Sequence, residues 1–313
     1  MSFEFANIAR QAAADRSISD EEVLALRRSG WADGKMTQEE AAIVFATQQA
    51  IENPSRAWSD FFVEAIQNFV LNGTEPRGFA CAEEAQWLIA QVEADGRVCS
   101  MTELEVLVRI IERAQNVPET LKTYVLGVLE REVMEGVGPT RCGGELSDSH
   151  VTEAECRLIR RVIFGQASDR PAAVGKREAE MLFRIKDAVL GRDNAPEFKR
   201  LFVQGVGNYL MGFASGSAQV SRERMLELDA FIADNRSSVG RFMGEMAVAA
   251  PNAFGAVFGR RDKAGEREAA VAEAAEFTGA ELDWLDSQIQ LNGKVDEYDQ
   301  ALLEFIAEET AVA

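Results

Sequence analysis

Apolar residues recur along this chain every three to four positions, the spacing that gathers them on one face of a helix. Ile43, Val44 and Phe45 form one such stripe, Trp58, Phe61, Phe62, Ile66, Phe69 and Val70 a second, and Leu104, Leu107, Ile110 and Ile111 a third. Start signals stand where stripes begin. Ser19 with Glu22, Thr37 with Glu40 and Ser100 with Glu103 each set a hydroxyl three residues before a carboxylate, the spacing of a capping box. Thr152-Glu153-Ala154-Glu155 opens a further helix through Leu158, Ile159 and Val162. No stretch alternates apolar and polar residues as a strand does, so the pattern predicts an all-α protein.

A recurring turn orders these helices. Ala32-Asp33-Gly34-Lys35-Met36, Ala94-Asp95-Gly96-Arg97-Val98 and Leu291-Asn292-Gly293-Lys294-Val295 each join two helical stripes, and the spacing from Gly34 to Gly96 suits a unit of three helices. A third unit starts at Thr152 with its turn enlarged to Ser168-Asp169-Arg170-Pro171-Ala172-Ala173, followed by Val174, Glu178, Leu182, Ile185 and Val189. The fourth runs from Thr278 through Leu302, Leu303, Phe305 and Ile306 and lacks a third helix. Tandem three-helix units paired into two domains are therefore expected: residues 1–136, a Gly-rich linker at 137–149, and residues 150–313 with an inserted segment at about 214–277. That insert carries Phe242, Met243, Met246, Phe254, Val257 and Phe258 among small residues. It is expected either to cover an open face of the second domain or to dock a partner, since Met-rich surface is adaptable.

Charge then removes whole classes of partner. The 313 residues carry a formal charge of −19, and a field of that sign repels phosphate backbones and anionic membrane surfaces. Nucleic acid is not an expected partner. No apolar run is long enough to cross a membrane or to serve as a secretory signal, so a cytoplasmic protein is expected. Cys81, Cys99, Cys142 and Cys156 have no Cys-x-x-Cys spacing and are read as free thiols. His150, the single histidine, precedes a helix and is read as a loop or capping residue rather than a general base. With no phosphate loop, dinucleotide fingerprint or zinc-helix motif, the expectation is a protein that is not an enzyme.

The Asp-Gly turns invite comparison with the calcium-binding helix–loop–helix, whose loop needs oxygens at positions 1, 3, 5 and 12 around a Gly at 6. With Asp33 at position 5, Glu40 falls at 12 but Ser29 and Trp31 fall at 1 and 3. Asp95 gives Gln91, Glu93 and Thr102, and Asn292 gives Gln288, Gln290 and Asp299. No copy is complete. The turn glycine and its Asp or Asn also have a structural use, ending one helix in the left-handed region and bonding to the turn backbone.

Paired three-helix units with Ala-Asp-Gly-(Lys/Arg)-apolar turns resemble the tellurite-resistance TerB-like domain family, well over about 17–136 and loosely over 150–313. The resemblance implies a non-enzymatic accessory protein of metal or chemical stress, in which acidic residues of two turns share a divalent cation. Carried over by position, these are Asp33 and Glu40 from the first turn with Asp95 and Glu103 from the second. The C-terminal half departs from the pattern, with Asn292 in place of Asp and with Asp169, Asp296 and Asp299 as its nearby carboxylates. The alternative is a helical protein–protein interaction scaffold that docks partners through 214–277.

Overall fold

The computed structural model describes residues 3–30, 36–74, 76–94, 96–141, 150–168, 170, 173–214 and 279–312. These residues form α-helices and one 3-10 turn, with two isolated single-residue bridges and no strand among them. In order they are α1 (Phe3–Asp15), α2 (Asp20–Gly30), α3 (Gln38–Ala50), α4 (Arg56–Asn72), α5 (Ala82–Val92), α6 (Met101–Arg113) and α7 (Glu119–Glu135). After the 3-10 turn at Pro139–Arg141 come α8 (Glu153–Ile163), α9 (Lys176–Ala188), α10 (Pro196–Ala214), α11 (Gly279–Gln290) and α12 (Glu297–Val312). The protein is all-α. The insert read at 214–277 lies outside the described residues apart from its first position, as do Cys142 and Asp169.

The chain divides into two compact units. One takes Met1–Glu132, Gly136–Leu146 and Gly165–Ala167, and the other takes Val133–Glu135, Ser147–Phe164 and Ser168–Ala313. In the first, α4 is the central helix, packed against α2, α3, α5 and α6; in the second, α10 packs against α8, α9 and α12. The stripe along α4 explains its place, because Trp58, Phe61, Phe62, Ile66, Phe69 and Val70 are all buried. Within the stretch read as a linker, Pro139 is buried and Thr140 Oγ1 donates to Glu132 Oε2 at 2.7 Å, so 137–141 folds onto the first unit.

Among the aromatic side chains of each unit, four rings share one geometry. Phe45 meets Phe62 edge-on at 5.0 Å and 80°, and Phe183 meets Phe202 at 5.0 Å and 84°. Phe45–Trp87 and Phe183–Trp284 lie at 5.6 and 5.8 Å, while Phe69–Trp87 and Tyr209–Trp284 both lie at 4.7 Å. Edge-to-face contact places the positive rim of one ring on the negative face of the next, which fixes side-chain orientation as well as excluding water.

Two elements differ from the sequence reading. Helix α1 carries no strong start signal, yet Phe5, Ala9 and Ala12 are buried and the helix packs on α2 and α3. In α12, Leu302 and Phe305 are buried but Leu303 faces outward at 40% exposure, since it falls off the stripe that meets α10. Gly207 of α10 allows that approach: a methyl group there would lie 2.5 Å from Phe305 Cε1.

Candidate functional site

Glu40 is buried, and its Oε2 accepts hydrogen bonds from Thr37 N at 2.9 Å and Thr37 Oγ1 at 3.0 Å, while Thr37 Oγ1 accepts from Glu40 N at 3.2 Å. Glu103 is buried likewise, with Oε2 accepting from Cys99 N at 2.9 Å and Ser100 N at 3.0 Å. Both hold helix starts. Asp33 and Asp95, the other half of the four-carboxylate set, lie outside the described residues. The turn glycines Gly96 (φ 86°) and Gly293 (φ 73°) adopt the left-handed conformation that a short helix-to-helix turn needs. Asn292 Oδ1 accepts from Lys294 N at 3.0 Å, the side-chain-to-backbone bond expected of Asn in such a turn.

The reciprocal cap recurs with buried N3 glutamates at Glu84 and Glu155, Cys81 Sγ serving where a hydroxyl would normally stand, and at α9 the glutamate half alone remains, Gly175 N donating to Glu178 Oε2 at 2.6 Å. Removing one cap hydroxyl by Ser100→Ala leaves a helix-terminal amide without its acceptor and is expected to cost about 1 kcal/mol in urea denaturation. Glu103→Ala is expected to cost more, because Glu103 caps two backbone amides at once.

Among the described residues, a cluster of buried charges in the second unit centres on a residue that no motif announced. Lys186 is completely buried near the end of α9. Its Nζ reaches Asp296 Oδ2 at 2.7 Å, Asp299 Oδ1 at 2.9 Å and Asp187 Oδ1 at 2.9 Å, and stands 5.4 and 5.9 Å from the centres of the Phe183 and Phe202 rings. Asn292 Nδ2 joins the cluster by donating to Asp187 Oδ1 at 2.7 Å and Asp296 Oδ2 at 3.2 Å. The two aspartates also cap α12 reciprocally: Asp296 N donates to Asp299 Oδ2 and Asp299 N to Asp296 Oδ1. Asp296 and Asp299, read as carboxylates of a turn, thus meet an ammonium from the chain itself.

Protonation states follow from the competition between burial and pairing. Burial acts to lower the Lys186 pKa, but the hydrogen bonds it donates to Asp296, Asp299 and Asp187 outweigh it and raise the group above its ordinary value. Burial acts to raise Asp296, yet the Lys186 ammonium and the backbone amides it accepts hold it below the usual carboxylate range. Asp299 sits deeper, and there burial prevails and raises the pKa.

The first unit has a neutral network at matching positions. Gln48 stands eight residues after the capping Glu40, as Lys186 does after Glu178. Trp58 Nε1 donates to Gln48 Oε1 at 2.7 Å, and Gln48 Nε2 donates to Ser100 Oγ at 3.3 Å, on the residue that caps α6 as Asp296 caps α12. One interior position therefore carries an amide in one unit and a cation in the other. The apolar stripe of α9 held the only signal: Lys186 falls among Leu182, Phe183 and Val189, a charged residue in line with core positions.

Comparison of the chain with family models, curated proteins and solved structures finds no match.

An open groove on the first unit is the other feature with chemical potential. It lies between α4 and α6 and encloses about 660 Å³. The two helices start side by side, where Thr102 Oγ1 donates to Ser59 Oγ at 3.1 Å. Asp60, Glu64, Glu105, Arg109 and Arg113 line it, with Arg109 Nη2 donating to Glu105 Oε1 at 2.9 Å, and Val63 and the 39%-exposed Met101 add apolar surface. Nucleophilic chemistry finds no support at Cys156, which is buried among acidic neighbours; burial first, then Glu197, pushes its thiol up to about 12.

Proposed function

We propose that this chain is a non-catalytic, cytoplasmic accessory protein of the TerB-like kind, built from paired three-helix units, that works by docking a helix of a partner protein in the α4/α6 groove. The groove carries the reading: it is open, runs along two helices, exposes Met101, and has Asp60 near the helix starts and Arg113 at the end of α6. Those properties suit an amphipathic helix with an apolar ridge, basic residues toward Asp60, and acidic residues toward Arg113. The repeated ring geometry and the glycine turns support the paired-unit architecture. Glu40 and Glu103 are already engaged by helix-terminal amides, which favours docking over a cation shared by Asp33, Glu40, Asp95 and Glu103.

Met101→Glu combined with Arg113→Glu places charge on the apolar surface and reverses one end of the groove. The double variant is expected to keep the wild-type melting temperature and to lose about tenfold or more in affinity for a partner first captured on the wild-type chain. Capture of the same proteins with unchanged affinity would sink the groove reading. Calorimetric titration with calcium, magnesium and zinc separates the two functions, because heat that disappears in the Asp33→Ala, Asp95→Ala variant would replace docking by cation binding.

A further inference from the structure

A second pair of matched positions shows a charge that the second unit lacks. In the first unit, Arg27 of α2 forms an ion pair through Nη1 with Glu64 Oε2 of α4. Arg27 stands five residues after the capping Glu22, as Arg160 stands five residues after the capping Glu155. Glu64 and Gln204 each stand nine residues after the position preceding their helix, and Asp60 and Arg200 five residues after it. Arg160 Nη1 accordingly donates to Gln204 Oε1 at 3.0 Å. The frame is kept, but a glutamate has become a glutamine and an aspartate an arginine.

This exchange leaves donors without acceptors. Gln204 is completely buried, and with its oxygen fixed by Arg160 its Nε2 is left with no hydrogen-bond partner. Arg160 Nε is also buried and unpartnered. Because Nη1 is used by Gln204, the edge left over is the Nε–Nη2 fork, the side of a guanidinium that takes a carboxylate or phosphate through two parallel bonds. Burial, then the neighbouring Arg200 charge, disfavours the protonated form of Arg160, and no carboxylate offsets them. Orphaned buried donors of this sort each cost about 1–3 kcal/mol unless something accepts from them.

We infer that the seam where α8 packs on α10 around Arg160 is a site for a small oxyanion, a molecule presenting one carboxylate or phosphate, held by the Arg160 fork with Gln204 Nε2 and Arg200 beside it. The bound group supplies the negative charge that Glu64 supplies in the first unit, but on the open Nε–Nη2 edge of the guanidinium, because Gln204 fills the Glu64 position itself. Two arginines and an amide donor make this a locally basic spot on a chain of formal charge −19, which suits an anion and no other class of small ligand. The site is separate from the α4/α6 groove and does not depend on it.

The test uses the full chain in sodium chloride, with phosphate or acetate substituted at matched ionic strength, and reads binding by calorimetry and melting by heat capacity. Phosphate, acetate or both are expected to bind the wild type and raise its melting temperature; the stronger of the two identifies the oxyanion class. Gln204→Glu supplies the internal carboxylate that Glu64 supplies in the first unit. That variant is expected to melt higher than wild type in chloride alone and to lose at least about tenfold in affinity for the anion. Arg200→Gln, an exposed and fold-neutral change, is expected to weaken the anion severalfold without lowering stability. Absence of any phosphate or acetate effect on the wild type would overturn the proposal, as would equal anion affinity in Gln204→Glu and wild type.

Discussion

Lys186→Met is expected to lower the melting temperature by roughly 10 °C at neutral pH, although methionine fills nearly the same volume. The loss follows from what remains: Asp187, Asp296 and Asp299 would face one another around a site with no cation, two of them almost or wholly shut off from water. Removing one partner of a buried ion pair costs about 3–5 kcal/mol, because the charges left behind stay desolvated and unpaired. For a domain of this size each kcal/mol moves the melting temperature by about 2–4 °C. The deficit should shrink in Lys186→Met combined with Asp299→Asn, which removes one of the stranded charges. Scanning calorimetry of the single and double variants checks both statements, and a single variant that melts like wild type would show the cluster to be dispensable.

The same cluster sets a pH dependence whose sign differs among its members. Lys186 has a raised folded pKa, so its contribution is complete below the ordinary lysine value of 10.5 and is lost as pH climbs through the higher folded value. Asp296 has a lowered pKa and contributes above the ordinary 3.8, losing its effect as pH falls through the folded value. Asp299 acts the other way. Its raised pKa means that ionising it inside the fold is unfavourable, and stability declines as pH rises from 3.8 through its folded value. Wild type should therefore lose stability above about pH 10.5, by a step that Lys186→Met lacks.

The helices with both a cap and a stripe were legible in the amino-acid order, because each rests on local chemistry. Thr37 and Glu40, or Ser100 and Glu103, need only each other and the backbone between them. Helix α1 was not legible, since its hold on the fold comes from Phe5, Ala9 and Ala12 meeting α2 and α3 rather than from any start signal. The charged interior was legible only in part. Asp296 and Asp299 belong to a visible turn, but their partner Lys186 is more than a hundred residues away, and the two meet because α9 and α12 both pack on α10. The exchange of Gln48 for Lys186 is likewise a relation between distant positions that becomes visible once each is placed relative to its own cap.

Phe62→Ala and Phe202→Ala form a matched pair whose difference isolates the lysine. Each ring is completely buried and meets its partner, Phe45 or Phe183, edge-on at 5.0 Å. Deleting either leaves a cavity that its neighbours cannot close, at a cost of about 3–5 kcal/mol in urea denaturation. Phe202 has an added task, since its ring also lies 5.9 Å from the Lys186 ammonium and 6.0 Å from Tyr298. A desolvated cation over an aromatic face gains about 0.5–2 kcal/mol, and that gain is lost with the ring. Phe202→Ala is therefore expected to exceed Phe62→Ala by about 1 kcal/mol, and in the Lys186→Met background the excess should vanish, as a double-mutant cycle would register. Equal costs in both backgrounds would mean that the ring serves packing alone and that the ammonium is held by its aspartates without help.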